Sequence, residues 1–374
     1  MRVTVIPTIT AFPWGAPGHC MGALVEELLE AGHEVQWFVA PIDLAHAEVV
    51  RLQARGALVE KLPREPKGYV RAAALRRKID RVLEGERGLV ERVRSFAPDF
   101  VYLNQGGTWC GAFGHFAEVL RDFPGRYAVI CHLNQPSAPF SSEVRRKVGE
   151  FVDHANRVFV NSSYMLDLAQ RQLARDIPNA WHYHLPHRFS FSAPIRWPEL
   201  VKPQLAFVGR LDVHHKGLDV ALEAFARVPR SGQECSLSLY GVGPDREYLE
   251  GLADYLGVRD RVIFKGQTSD IEKVWHENEI LFMPSRHEGC SVAMTEAIGF
   301  GRPVIATAVG GAPEWIKDGA TGFLAAAPTV GLVTEALRRA VAERSRWREM
   351  GEAAHRKFKA TMPDRPATVF LEAL

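Results

Sequence analysis

One pattern repeats along the chain. A short, unbroken apolar run is followed by a break at Gly, Asn or His, and then by a longer segment whose apolar residues recur every three to four positions. Residues 2–7, 34–40, 58–62, 99–103, 127–131 and 157–161 are apolar runs of the first half; those opening at 205, 236, 262, 280 and 302 belong to the second. Continuous apolar runs of this length read as strands buried on both faces, and the periodic segments as helices. A helix is expected over 20–31, closed by Gly32, and another from the Ser162-Ser163 cap to about 174. A third starts near Lys216 with Leu218, Ala221, Leu222, Phe225 and Val228 on one face. Helices over 292–300 and 330–342 follow, and 355–374 holds one or two terminal helices. Strand–helix alternation of this kind builds doubly wound, parallel α/β sheets.

The 374 residues suit two such domains. Three prolines within 189–203 mark a linker. This divides the chain into a Rossmann-like domain over 1–188, a second over 204–355, and a C-terminal helix over 356–374 expected to pack back on the first domain. No repeat at a 20–50 residue period and no low-complexity stretch occurs. Hydrophobic residues make up 47% of the chain, enough for two cores. A net charge of +2 implies no nucleic-acid partner, and no run approaches the ~20 apolar residues of a membrane span. The first residues lack the apolar stretch of a signal peptide. Five scattered cysteines without a CxxC pair fit a reducing, cytoplasmic setting.

Two stretches carry chemistry. The first, Pro284-Ser-Arg-His-Glu-Gly-Cys-Ser-Val-Ala-Met-Thr-Glu296, reads as strand end, loop and helix. It holds Glu288 in the loop and Glu296 on the helix. The amides of Gly289, Cys290 and Ser291 lie at a helix N-terminus, which favours a phosphate, and carboxylates accept bonds from vicinal hydroxyls. The second stretch, 205–217, places Gly209-Arg210 and Lys216-Gly217 around a turn at a strand's C-terminal end, where open parallel sheets bind ligands. Two cations there can neutralise a diphosphate. In each case the plain alternative is an ordinary solvated surface group.

Together the stretches resemble the family 4 retaining glycosyltransferases, which have the GT-B fold of two Rossmann-like domains facing a cleft. The resemblance rests on Gly209-Arg210, Lys216-Gly217, Glu288 and Glu296 with Gly289 between, Gly310-Gly311-Ala-Pro-Glu314, and Asp318-Gly319-x-x-Gly322-Phe323. It is strong over about 200–325 and weaker over 1–180. The segment from Arg210 to Lys216 is one residue longer than the common form, and 181–187 departs from the family's usual Asn-Gly-containing segment. The resemblance implies a nucleotide-sugar co-substrate, UDP- or GDP-linked, and no other cofactor. Arg210 and Lys216 would face the diphosphate, Glu288 the donor sugar, and Glu296 the ribose. It also carries His132, directly after the strand over 127–131, to the donor sugar near the reacting carbon, and the loop over 8–19 with Gly15 and Gly18 to the acceptor side, near the donor phosphates.

No Asp-x-Asp occurs, and the histidines at 182, 184 and 187 match no common zinc spacing, so no metal is expected. Gly241-Val-Gly243 falls short of a dinucleotide fingerprint. The expected reaction is a metal-independent, retaining transfer by same-face attack. Its acceptor would be a small glycoside, cyclitol, natural product or lipid-linked molecule. A basic segment over 68–96, with Arg71, Arg76, Arg77 and Lys78, could touch a membrane, but its stripe of Val70, Leu75, Ile79 and Val82 makes a solvated outer face the better reading. The competing functions are a nucleotide-sugar isomerase or hydrolase and a non-catalytic binder.

Overall fold

The computed structural model describes residues 1–8, 14–62, 88–106, 109–136, 140–187, 189, 195–228 and 235–374, with backbone alone at 115. The basic segment proposed over 68–96 lies outside these residues up to 87. The chain divides into two compact units: Met1–Pro186 with Arg365–Leu374, and His187–Asp364.

The first unit is built on seven parallel strands: β1 (Arg2–Pro7), β2 (Glu34–Val39), β3 (Leu58–Lys61), β4 (Phe100–Gln105), β5 (Tyr127–Cys131), β6 (Arg157–Val160) and β7 (Ala180–His182). Their order is β3-β2-β1-β4-β5-β6-β7, so the direction of winding reverses between β1 and β4. Helices α1 (Ala16–Glu30), α2 (Ala47–Ala54), α3 (Gly114–Arg121), α4 (Ser142–His154) and α5 (Ser163–Leu173) accompany them, and residues 88–96 are helical as well. The Ser162 hydroxyl caps α5 by accepting from the Met165 amide, as the sequence implied. Helix α1 begins four residues earlier than expected. Pro17 sits in its first turn, where a missing N–H costs nothing, so Gly18 and His19 are helical and do not belong to the preceding loop.

The second unit has six parallel strands: β8 (Gln204–Val208), β9 (Ser236–Tyr240), β10 (Val262–Gly266), β11 (Ile280–Met283), β12 (Val304–Thr307) and β13 (Gly322–Ala325), ordered β10-β9-β8-β11-β12-β13. The apolar run of β11 shows why these strands do not alternate with polar residues. Ile280 and Phe282 join one core, Leu281 and Met283 the core on the opposite face, and all four are at most 2% exposed. The helices are α6 (Val213–Lys216), α7 (Leu218–Ala226), α8 (Arg246–Tyr255), α9 (Ile271–Glu277), α10 (Val292–Gly299), α11 (Ala312–Trp315), α12 (Val330–Ala342) and α13 (Trp347–Thr361).

Two sequence expectations need revision. The helix expected from Lys216 is two helices, because Gly217 adopts φ +63° and stops α6 before α7 starts. The stripe of Leu218, Ala221, Leu222, Phe225 and Val228 is nonetheless buried as expected. The terminal helix expected over 356–374 is instead α13, which belongs to the second unit, followed by a 3-10 segment over Pro366–Ala373 that packs with the first. Arg365 anchors that segment to α1 through Glu27, at 2.6 Å, and Glu30.

Gly217 is also where two strand ends meet. A methyl group there would lie 2.2 Å from the Pro284 carbonyl oxygen. Gly217→Ala therefore faces both a left-handed backbone and a backbone clash, and is expected to lower stability by about 2 kcal/mol or more. Gly331 in α12 has open space around it, and Gly331→Ala should raise stability by about 0.5 kcal/mol. Urea midpoints of the two variants, moving in opposite directions, check both.

Candidate active site

In the second unit the two chemical stretches lie at the C-terminal ends of neighbouring strands, β8 and β11. The Lys216 ammonium donates to Glu288 Oε1 at 2.6 Å, with the two side chains 23% and 11% exposed. The Ser285 hydroxyl donates to the same oxygen at 2.8 Å. The backbone seals the junction: the amides of Arg286 and His287 donate to the His215 carbonyl at 2.8 and 3.2 Å. Arg286 reaches back with a bidentate bond to Asp219 at 2.6 and 2.7 Å. The loop carrying Lys216 and the loop carrying Glu288 are thus one assembly.

Arg210 pairs with Asp212 at 2.6 Å. Burial works against the Asp212 carboxylate, but the His215 amide and the Arg210 guanidinium outweigh it and hold its carboxyl below the usual range. Asp212 also caps α6 by accepting from the His215 amide at 3.0 Å. Behind this loop sits Gly241-Val-Gly243. The Leu211 amide donates to the Val242 carbonyl at 3.1 Å, and a methyl on Gly241 would meet the Gly209 carbonyl oxygen at 1.9 Å. These glycines admit the Arg210 loop at van der Waals contact, which accounts for the near-match to a nucleotide fingerprint. Gly209 itself has φ +154°.

Helix α10 follows the Glu288 loop. Ser291 caps it by accepting from the Met294 amide at 3.4 Å, and the Gly311 amide donates to the Gly289 carbonyl at 2.6 Å. The Cys290 thiol is pushed up to about 12 by burial and by the nearby Glu314 and Glu288 carboxylates, so it stays protonated. Glu296 lies on α10, 4% exposed. A group that sequence reasoning passed over is a triad of imidazoles. The rings of His214, His215 and His287 lie 5.0 to 5.9 Å apart beside this junction. Burial keeps His215 and His287 below the ordinary histidine range, and hence neutral at pH 7. Among the described residues, no three His, Cys, Asp or Glu side chains are placed to hold a metal ion.

In the first unit, His132 follows β5 and is 8% exposed. Both its ring nitrogens are engaged: Nε2 lies 2.6 Å from Asn104 Oδ1, and Nδ1 2.9 Å from the Tyr183 hydroxyl. Burial lowers its pKa to about 3. Neither Asn104 nor Tyr183 had been singled out, since each is an ordinary residue at a strand end until the fold joins it to His132. Gly15 precedes α1, as its N-cap. Gly18 does not leave space for a ligand. The Trp14 indole fills it, 2.8 Å from where a methyl would stand. Trp14 stacks on His46 at 4.2 Å and donates from Nε1 to His19 at 2.8 Å. Trp109 is 3% exposed and packs in the core.

Comparison with known proteins decides the family. Residues 15–180 match the model of a glycosyl transferase 4-like domain, and 196–357 that of glycosyl transferases group 1. The chain belongs to the family 4 glycosyltransferases. Its fold agrees: it superposes with a TM-score of 0.73 and 17% identity on Anabaena HepE, solved in complex with UDP, over all of both chains. The sucrose-phosphate synthase of Thermosynechococcus elongatus gives 0.75 at 19% identity over 99% of this chain and 97% of that one. Two parallel-sheet domains of this kind are the GT-B fold. Among curated relatives, the alpha-D-kanosaminyltransferase of Streptomyces kanamyceticus is 34% identical over 125 residues, 33% of this chain and 32% of that protein. The lipopolysaccharide glucosyltransferase WaaG of Escherichia coli K12 is 34% identical over 143 residues, 37% of this chain and 38% of its own. The match thus spans about a third of the length of each of these relatives. Among the described residues of this family member, no helix is long and apolar enough to cross a membrane.

The buried His132 gives a pH prediction. Its folded pKa, about 3, lies below the reference value of 6.5. Its contribution to stability is therefore fully present above pH 6.5 and is lost progressively as the pH falls toward 3. Urea unfolding of the wild type and of His132→Asn between pH 7.5 and 4.5 tests this: the gap between them should narrow as pH falls.

Proposed function

We propose that the protein is a retaining glycosyltransferase that moves a sugar from a nucleoside-diphosphate sugar to an acceptor hydroxyl, without a metal. The observation that carries the reading is the junction of Lys216, Glu288 and Ser285 at adjacent strand ends, with Arg210 on the same loop as Lys216. Arg210 and Lys216 are cations positioned by partner carboxylates. They supply the charge that stabilises a departing diphosphate. Glu288 and the amides of Gly289, Cys290 and Ser291 orient the donor sugar, and Glu296 receives the ribose diol. When a phosphate draws Lys216 away, Ser285 remains to orient the carboxylate. The absence of an Asp-x-Asp supports the metal-free reading.

His132 stays neutral, so in this reading it does not serve as a general acid or base. The proton of the acceptor hydroxyl goes to the departing phosphate oxygen, on the face from which that oxygen leaves. The acceptor is a small glycoside, cyclitol, natural product or lipid-linked molecule; the relatives' own names differ on this point, one being a lipopolysaccharide glucosyltransferase. Of the three donor bases left open by the sequence, uracil, guanine and adenine, the first two are the ones to test first. None of the five cysteines is in a disulfide, which supports placement in the reducing cytoplasm.

The test is nucleotide release from a panel of UDP- and GDP-sugars, with and without candidate acceptors. Release that requires an acceptor and survives EDTA supports the reading. Release without any acceptor points to a hydrolase, and an inverted anomeric proton signal in the product overturns retention. Lys216→Ala should reduce kcat/KM by about 10²–10³ with the fold intact. Arg348→Ala, an exposed helix pair with Glu352, should leave it unchanged.

A further inference from the structure

The buried polar groups at the strand ends of the first unit form a directed chain. Asn104, at the end of β4, donates from its side-chain nitrogen to the Pro17 carbonyl in the first turn of α1, at 3.2 Å. Its side-chain oxygen therefore faces His132 Nε2 at 2.6 Å. A carbonyl oxygen only accepts, so Nε2 carries the hydrogen. Turning the amide over would set the Asn104 and Pro17 oxygens against each other. In a neutral ring with Nε2–H, Nδ1 is an acceptor, and the Tyr183 hydroxyl at 2.9 Å is its donor. The Cys131 carbonyl lies 3.2 Å from the same hydroxyl. The phenol has one hydrogen, and the ring nitrogen is the nearer acceptor.

Tyr183 is itself held by the end of the chain. Its ring lies 5.2 Å from that of Phe370, which also packs edge-on against Phe159 at 5.0 Å. The Phe370 carbonyl accepts from the Tyr102 hydroxyl at 2.6 Å. The last ten residues of the chain thus press on the tyrosine that faces His132.

We propose that Tyr183 is a positioning residue for sugar transfer: by donating to Nδ1 it holds the Nε2–H ring of His132 against Asn104, which in turn holds the first turn of α1. This rests on the transferase reading above. Tyr183 touches no reacting atom and acts through His132 and Asn104. The C-terminal segment is then part of the machinery of the first unit as well as a fastening.

Two variants and one spectrum test this. Tyr183→Phe keeps the ring and its packing on Phe370 but removes the hydrogen. It should lower kcat by about ten-fold, with donor KM little changed. In nitrogen NMR of labelled imidazoles, His132 should show a protonated Nε2 and a bare Nδ1 in both proteins, with the Nδ1 signal shifted downfield in Tyr183→Phe as it loses its hydrogen bond. Asn104→Asp still accepts from Nε2–H but cannot donate to Pro17; it should lower kcat similarly while Nε2 keeps its hydrogen. It also provides the turnover reading if Tyr183→Phe folds poorly. A merely structural tyrosine would change the unfolding midpoint and leave kcat as in the wild type, which overturns the proposal. Wild-type protein that transfers no sugar overturns the transferase reading, and the positioning role with it, and is told apart because the wild type itself fails.

Discussion

The second unit depends on the contact between Lys216 and Glu288. Two partly buried, oppositely charged groups at 2.6 Å gain from each other what each lost in leaving water, and the Ser285 hydroxyl serves a further lone pair of the carboxylate. The contact exists because β8 and β11 are neighbours in the sheet although more than seventy residues separate them in the chain. It also needs Gly217, where any side chain would strike the Pro284 backbone. Charge, hydrogen bonding and steric clearance therefore act at one point, and the Arg286–Asp219 bridge ties the same loops a second time.

The two units solve the same problem with opposite polar chemistry. In the second, the strand ends carry ionised pairs, suited to recognising an anion in competition with water. In the first, they carry neutral groups linked donor to acceptor, from Tyr183 through His132 and Asn104 to Pro17. A charged imidazole in that setting would lose its hydration without a carboxylate to offset it, which is why burial drives the His132 pKa so low. The neutral chain transmits geometry from the C-terminal segment to α1 and does not transmit charge.

Much of this was legible in the sequence. The strand over 127–131 and the helix over 330–342 are found with the bounds that the apolar pattern implied, because an apolar run buried on both faces or a 3.6-residue stripe reports local structure directly. The cations and carboxylates of the second unit were legible because they cluster in two short stretches. Gly18 was misread. From sequence it is a permissive residue in a loop; in the fold it is a helical position beneath an indole, and only the packing of Trp14 shows this. Gly241-Val-Gly243 falls short of a nucleotide fingerprint in the sequence, and the fold shows the use of its glycines: they let one loop approach another.

The sequence by itself determined the strand–helix alternation, the division into two parallel sheets, and the residues proposed to bind phosphate and sugar. Each of these follows from periodicity or from residue type within a few neighbouring positions. The tertiary structure alone decided that Lys216 meets Glu288, that His132 is neutral and bonded at both nitrogens, and that Tyr183 lies between His132 and Phe370. Those facts join residues about thirty to nearly two hundred positions apart, and a contact at that separation is set by which strands lie side by side, a property that no local pattern encodes.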